Sequence, residues 1–155
     1  VRTGIGVDAH RFAEGRVLVL GGLEFPGSRG LSGHSDADVV LHALMDALLG
    51  ACGAGDIGEM FPDTDPAYKD ASSMELLERV MGAVRERGFG VVNADVVVMC
   101  EEPRVGPYRE AMRSNIAQAL GIDPGAVSVK GTTTEGMGFT GRGEGIVAMA
   151  AVLIE

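Results

Sequence analysis

A segment that is apolar around a whole helical circumference has to lie inside a protein, and residues 39–49 form such a segment. The chain there runs Gly33-His34-Ser35-Asp36-Ala37-Asp38-Val39-Val40-Leu41-His42-Ala43-Leu44-Met45-Asp46-Ala47-Leu48-Leu49-Gly50, with only Asp38, His42 and Asp46 polar among the later residues. Ser35 followed at the third position by Asp38 spells a capping box, and Asp36 and Asp38 suit the positive end of a helix dipole. The spacing therefore predicts a helix that starts near Asp36, ended by Gly50 or Gly53 through a left-handed C-cap. Asp38, His42 and Asp46 fall on one stripe. An ionisable group in a low dielectric costs several kcal/mol unless it is paired, so His42 and Asp46 require partners. A metal ion or a charged ligand in a cleft would supply them. So would a plain core pair in which Asp46 orients the histidine.

A chain of 155 residues with 46% hydrophobic content is expected to form one domain over residues 1–155 with a real core. Its longest apolar run, Gly145 to Ile154, is too short for a bilayer, and the first residues show neither a basic region nor a hydrophobic signal segment. The expectation is a cytoplasmic protein with no membrane partner. Cys52 and Cys100 fit no Cys-x-x-Cys zinc pattern and sit among apolar residues, which reads as two reduced core thiols. A net charge of −9 argues against a nucleic-acid partner held through phosphates. An anionic small substrate would then need local positive charge, most simply a bound cation.

From the start of the chain, Ile5 and Val7 alternate with Gly6, Asp8 and His10, so a strand is expected with Asp8 and His10 on one face. An Asp-x-His pair is common on exposed strands. With one histidine from a buried helix, however, it makes the three protein ligands of an open tetrahedral zinc site. Val17 to Pro26 reads as a hairpin around Gly21-Gly22, and Gly27 to Gly33 as a loop that brings His34 to a helix entrance, where N–H groups favour anions. The segment from Ala54 to Pro66 has no period and many turn formers, which marks a lid or binding loop, with Asp56 and Asp63 as acceptors for polyol hydroxyls.

Ser72 with Glu75 caps a second helix, with Met74, Leu77, Val80, Met81 and Val84 as its buried stripe and Gly88 as its end. Phe89 to Cys100 carries the buried strand Val96-Val97-Val98-Met99, whose exit through Pro103 to Pro107 can read a nucleobase edge through its backbone. A third helix spans Pro107 to Leu120, and the remainder reads as a strand from Val127, a polar turn, a glycine-rich hairpin over Gly136 to Gly145, and a strand from Ile146 to Ile154. Gly136-Met137-Gly138-Phe139-Thr140-Gly141 spells Gly-x-Gly-x-x-Gly, yet the chain ends fourteen residues later, with no room for the helix, strand and acidic residue of a dinucleotide site. The Thr132-Thr133-Thr134-Glu135 turn offers hydroxyls and N–H groups to phosphate and a carboxylate to a hard cation, or it is a ligand-free strand end.

Taken together, Gly4-Ile5-Gly6-Val7-Asp8-Ala9-His10-Arg11-Phe12, Gly30-Leu31-Ser32-Gly33-His34-Ser35-Asp36-Ala37-Asp38, Gly55-Asp56-Ile57-Gly58, Phe61-Pro62-Asp63-Thr64-Asp65-Pro66 and Thr132-Thr133-Thr134-Glu135 with Gly138 to Gly145 resemble the 2-C-methyl-D-erythritol 2,4-cyclodiphosphate synthase family of the methylerythritol phosphate pathway to isoprenoid precursors. The resemblance covers essentially the whole chain. Arg104 and Val105-Gly106 stand where the family more usually has a lysine and a bulkier pair, and Val1 in place of Met reads as a trimmed start. The residues and the resemblance together predict an α+β fold, an α/β two-layer sandwich with a mixed four-stranded sheet, helices packed on one face, and a small hairpin.

The resemblance implies a metal-dependent phosphorus-oxygen lyase acting on 4-diphosphocytidyl-2-C-methyl-D-erythritol 2-phosphate, whose 2-phosphate attacks the β-phosphorus and expels CMP. It implies Zn²⁺ on Asp8, His10 and His42, Mg²⁺ or Mn²⁺ bound with the diphosphate near Glu135, and catalytic roles for His34, Thr133 and Glu135. Asp8, His10, Ser35, Asp56, Gly58, Phe61, Asp63 and Asp65 would contact the phosphates and the methylerythritol moiety. Cys100, Arg104, Val105, Gly106, Lys130, Thr132 and Thr133 would hold the cytidine, with Phe139 and Arg142 also at the substrate. A homotrimer with sites between subunits, and an axial cavity near Arg142 and Glu144 open to an isoprenoid ligand, are further implications, as is a cytoplasmic location of the bacterial type or a plastid location in a plant. Outside the resemblance, a non-catalytic nucleotide- or metal-binding module and a metal-dependent phosphohydrolase remain open readings of the same residues.

Overall fold

Two glycines set how closely the first strand can lie on a helix. Strand β1 (Arg2–Ala13) and helix α1 (Val39–Cys52) pack in direct backbone contact, because a Cβ on Gly4 would stand 1.9 Å from the Ala47 carbonyl oxygen and one on Gly6 would stand 1.9 Å from that of Ala43. All residues of α1 except His42, Asp46 and Gly50 are buried. Seven of those, from Val39 to Leu49, are large apolar side chains worth about 1.5–3 kcal/mol each on burial, which far exceeds the cost of enclosing the polar residue at the helix start.

The computed structural model describes all 155 residues. After β1 come the hairpin β2 (Leu18–Leu20) and β3 (Leu23–Phe25), the short β4 (Gly30–Leu31), α1, and a one-turn helix α2 (Ile57–Met60). Helix α3 (Ser73–Glu86), β5 (Val91–Met99), α4 (Arg109–Leu120), β6 (Val127–Thr132), the one-turn helix α5 (Gly138–Gly141) and β7 (Gly145–Ile154) complete the chain. The main sheet is mixed, in the order β4-β1-β7-β5-β6, with β5 and β6 parallel and every other pair antiparallel. β7 lies at its centre with Ile146, Ala148, Ala150, Val152 and Ile154 buried, and they join the α1 side chains and the stripes of α3 and α4 in one hydrophobic core. The other sheet face carries Ile5, Val7 and Met149 at 72%, 54% and 41% exposure.

The two-layer α+β architecture agrees with expectation, with one strand more than the expected four. The extra strand is β4, two residues inside the presumed Gly27–Gly33 loop, whose Leu31 pairs with Phe12. Helix α1 starts at Val39 instead of near Asp36, and its N-cap is Asp38, not Ser35. Ala37 adopts φ 57°, which breaks the helical path, and Asp38 accepts N–H groups from Leu41 at 3.1 Å, Gly21 at 2.9 Å and Gly22 at 2.7 Å. One carboxylate thus caps the helix and ties down the hairpin turn. Complete burial pushes the Asp38 carboxyl up to about 6 against the pull of those three donors.

Gly53, at φ 70°, ends α1 as expected. Ser72 precedes α3 without capping it through its side chain. The glycine-rich segment after residue 136 is no hairpin: β6 and β7 both pair with β5, so the connection crosses between them and coils into α5. Cys52 and Cys100 are free and buried.

Replacing Gly6 with alanine would force α1 off β1. The expected cost is about 1–3 kcal/mol or more, because the clash is with backbone that cannot rotate away; urea denaturation of Gly6→Ala against the parent chain measures it.

Candidate active site

The close approach of β1 and α1 brings His42, in the middle of the helix, to the inward face of the strand beside Asp8 and His10. Asp8 Oδ2 lies 2.8 Å from His10 Nε2 and 3.1 Å from His42 Nδ1, and the two ring nitrogens are 3.2 Å apart. One ligand atom from each residue falls within 4.8 Å of the others. Burial opposes charge on Asp8, yet the two imidazoles that face it outweigh burial and hold its carboxyl well below the usual carboxylate range. Burial also opposes charge on His10, but Asp8 prevails and raises it above the ordinary imidazole value. His10 Nδ1 donates to the Ser32 carbonyl at 2.7 Å, which leaves Nε2 facing the cluster. Two imidazole nitrogens and a carboxylate oxygen converging from rigid elements fit a divalent transition metal with an open coordination position.

The cluster forms part of the wall of a cavity of about 480 Å³, whose other walls include Gly33, His34, Ser35, Gly58, Phe61, Asp63 and Tyr68. His34 Nε2 donates to the Asp65 carbonyl at 2.9 Å, so Nδ1 is the nitrogen left for a ligand. The segment expected to be a structureless lid is built more firmly. Asp56 caps α2 through Glu59 N–H at 2.9 Å, and Asp46 accepts Ile57 N–H at 2.9 Å from the far side. Phe61 is buried edge-on against Tyr68 at 5.2 Å between ring centres, with Arg79 over both rings. Asp46 therefore holds this segment and makes no hydrogen bond to His42; burial raises its carboxyl. Of the acidic residues expected to meet a ligand here, Asp63 lines the cavity, and Asp56 and Asp65 each use Oδ1 to cap α2 and the turn at Ala67, which leaves Oδ2 of each to accept from a ligand.

The residues expected to hold a nucleotide gather elsewhere on the chain. Beyond the carboxyl ends of the parallel pair β5 and β6 lies a second cavity of about 500 Å³, lined by Cys100, Arg104, Val105, Gly106, Thr132, Thr133 and Glu135. Such a crevice is the usual ligand position for adjacent parallel strands. Burial, with the neighbouring Glu101, pushes the Cys100 thiol up to about 11, so it is no nucleophile. Thr133 Oγ1 accepts Glu135 N–H at 3.3 Å, which leaves its hydroxyl proton free. Lys130 does not line this cavity: it is on the open sheet face, paired with Asp95 at 2.7 Å. Phe139 borders a smaller recess with His10 and Glu144, and Arg142 pairs with Glu144 at 2.8 Å. Ser35 and Ser73, whose hydroxyls both reach His42 from behind, carried no signal for this in the sequence, where Ser73 simply follows the presumed cap Ser72.

Fold and site together define a two-layer α+β protein with a three-residue metal-binding group in a cleft. The chain belongs to the YgbB family, which it matches over residues 1–155. It is 59% identical over 97% of its length to the 2-C-methyl-D-erythritol 2,4-cyclodiphosphate synthase of Symbiobacterium thermophilum, covering 96% of that protein. Its fold superposes on a synthase of the same name solved in a CDP-bound form with a TM-score of 0.91 at 38% identity, covering 99% of this chain and 100% of that one. The bifunctional IspDF of Campylobacter jejuni matches at a TM-score of 0.95 and 48% identity over 99% of this chain, which spans 42% of the bifunctional protein.

The geometry separates the two cavity histidines. His42→Ala, which removes one of three ligand atoms, should purify with little bound divalent metal, whereas His34→Ala should keep the parent content; metal analysis by mass spectrometry reads both.

Proposed function

We propose that this chain is a single cyclodiphosphate synthase domain that converts 4-diphosphocytidyl-2-C-methyl-D-erythritol 2-phosphate into 2-C-methyl-D-erythritol 2,4-cyclodiphosphate and CMP, acting in the cytoplasm. The observation that carries this reading is the Asp8, His10 and His42 cluster opening into a cleft, in a chain of this family. An oxygen of the 2-phosphate attacks the β-phosphorus as the bond from that phosphorus to the bridging oxygen of CMP breaks, and CMP leaves with the α-phosphate. No protein nucleophile is needed. Zn²⁺ on Asp8, His10 and His42, with Mg²⁺ or Mn²⁺ carried by the diphosphate near Glu135, would supply the charge neutralisation that such transfer chiefly requires.

The chain's own groups supply position. His34, held through Nε2–H on the Asp65 carbonyl, orients a phosphate of the substrate in the transition state. The Thr133 hydroxyl, whose lone pair already accepts Glu135 N–H, donates to the phosphate on the nucleotide side. Asp63 and the backbone at Gly58 take the methylerythritol hydroxyls, while Ile57 and Phe61 keep water from competing with the internal phosphate. Cytosine is read by main-chain groups between Cys100 and Gly106, with Arg104 near the phosphates.

Because the metal-lined and nucleotide cavities are separate on one chain, the reading includes a homotrimer in which the cleft of one copy faces the nucleotide cavity of the next. The apolar sheet face of Ile5, Val7 and Met149 gives such an assembly something to bury. Arg142 and Glu144 would then flank an axial cavity able to take an isoprenoid ligand. Light scattering at micromolar concentration should return a trimer mass, and a fully active monomer would sink this part of the reading.

The phosphorus spectrum of the product tests the function itself. With added metal, the substrate should yield CMP and a product with both phosphates joined in one ring. Linear phosphates would mark a hydrolase and an unchanged spectrum a binding module. His34→Ala should lower kcat more than it raises KM, as expected for a contact felt mainly in the transition state.

A further inference from the structure

His42 turns Nδ1 toward Asp8 and His10, and its other nitrogen faces a hydrogen-bond chain that includes no metal ligand. His42 Nε2 lies 3.1 Å from Ser73 Oγ and 3.1 Å from Ser35 Oγ. Ser73 is fully buried at the start of α3 and meets Asp36 twice: its hydroxyl contacts Oδ1 and its N–H donates to Oδ2 at 2.9 Å. Asp38 N–H also donates to Asp36 Oδ1, at 3.1 Å. Both carboxylate oxygens are thus committed as acceptors, so the Ser73 hydroxyl must be the donor in its contact with Asp36. A hydroxyl has one proton. With it directed at Asp36, Ser73 Oγ offers only lone pairs to His42, and the hydrogen between them belongs to Nε2. Ser35 Oγ, which accepts Ala37 N–H at 3.2 Å, stands beside it as a second acceptor. A neutral imidazole carries one N–H, so Nδ1 is left bare where the cluster converges.

We infer that Asp36 and Ser73 are positioning residues for the metal centre: Asp36 orders the Ser73 hydroxyl, and Ser73 fixes the tautomer and the ring orientation of His42. The inference rests on the metal-dependent reading above and extends it to residues that touch neither metal nor substrate. His10 is set in the same manner by a main-chain carbonyl, that of Ser32. The two histidine ligands are therefore oriented by different parts of the fold. For His42, the start of α3 and the turn before α1 are joined to the site through side chains that substitution can remove.

Zn²⁺ affinity, measured by chelator competition on metal-stripped protein, tests this alongside thermal melts that report folding. Affinity should fall roughly 10-fold in Ser73→Ala, where Ser35 persists as an acceptor, and on the order of 100-fold in the Ser35→Ala, Ser73→Ala double variant, the range for lost partners behind a ligand. Ser73→Thr, which keeps the hydroxyl, should recover most of it. Folded variants that bind within about twofold of the parent overturn the inference while leaving the metal reading intact. A parent chain that takes up no Zn²⁺ overturns both. Long-range proton–nitrogen NMR of the metal-free parent in alkaline buffer reads the tautomer without any variant: Nε2–H on His42 is expected, and Nδ1–H refutes the assignment.

Discussion

The backbone contact between β1 and α1 is the constraint on which the rest depends. Gly4 and Gly6 face the Ala47 and Ala43 carbonyls at a separation no side chain could share, and the alanines leave no bulk on the helix side. Contact this close fixes the rotation of α1 about its axis, because only its small residues can face the strand. Rotation decides everything at the site. It turns His42 toward Asp8 and His10, sends Leu41, Leu44, Met45 and Leu48 into the core, and leaves Asp46 facing the segment at Ile57. One packing contact therefore serves stability and chemistry together.

The polar groups enclosed by this packing have partners. Asp38 takes three backbone N–H groups, Asp36 takes the hydroxyl and N–H of Ser73, and Asp8 faces two histidines. An unpaired buried polar group costs about 1–3 kcal/mol, a large fraction of a typical domain's net stability, so these residues act as staples between segments distant in sequence. Asp38 joins a hairpin to a helix, Asp36 joins the turn before α1 to the start of α3, and Asp46 joins α1 to α2. The cleft is bounded by these stapled segments, which position its ligand-type side chains.

A chain of net charge −9 that handles a phosphorylated, anionic substrate has to concentrate positive charge locally. The cleft itself holds no lysine or arginine among its lining residues, only histidines, and the second cavity adds Arg104 and Arg109. That distribution is why divalent cations belong in the proposed chemistry, and the metal-binding group is set on a strand and a helix in direct backbone contact.

Much of the site was legible in sequence because it obeys local periods. The alternation of β1 places Asp8 and His10 on one face, the apolar circumference of α1 isolates His42 and Asp46, and Gly53 and Gly121 sit at helix ends as left-handed caps. What lacked a local period was decided only in the folded chain. The cap of α1 moved from Ser35 to Asp38 because the hairpin turn, distant in sequence, supplied two further N–H donors to that carboxylate. β4 formed because β1 had a free edge to pair, and Asp56 and Asp65 each gave one carboxylate oxygen to a cap in their own neighbourhood. Ser73 behind His42, and the division of the expected ligand residues between two cavities, are contacts between segments far apart along the chain. Residue type and spacing determined which groups this protein could bring to a metal and a phosphate. Only tertiary packing decided which of them still had a free lone pair or proton when they arrived.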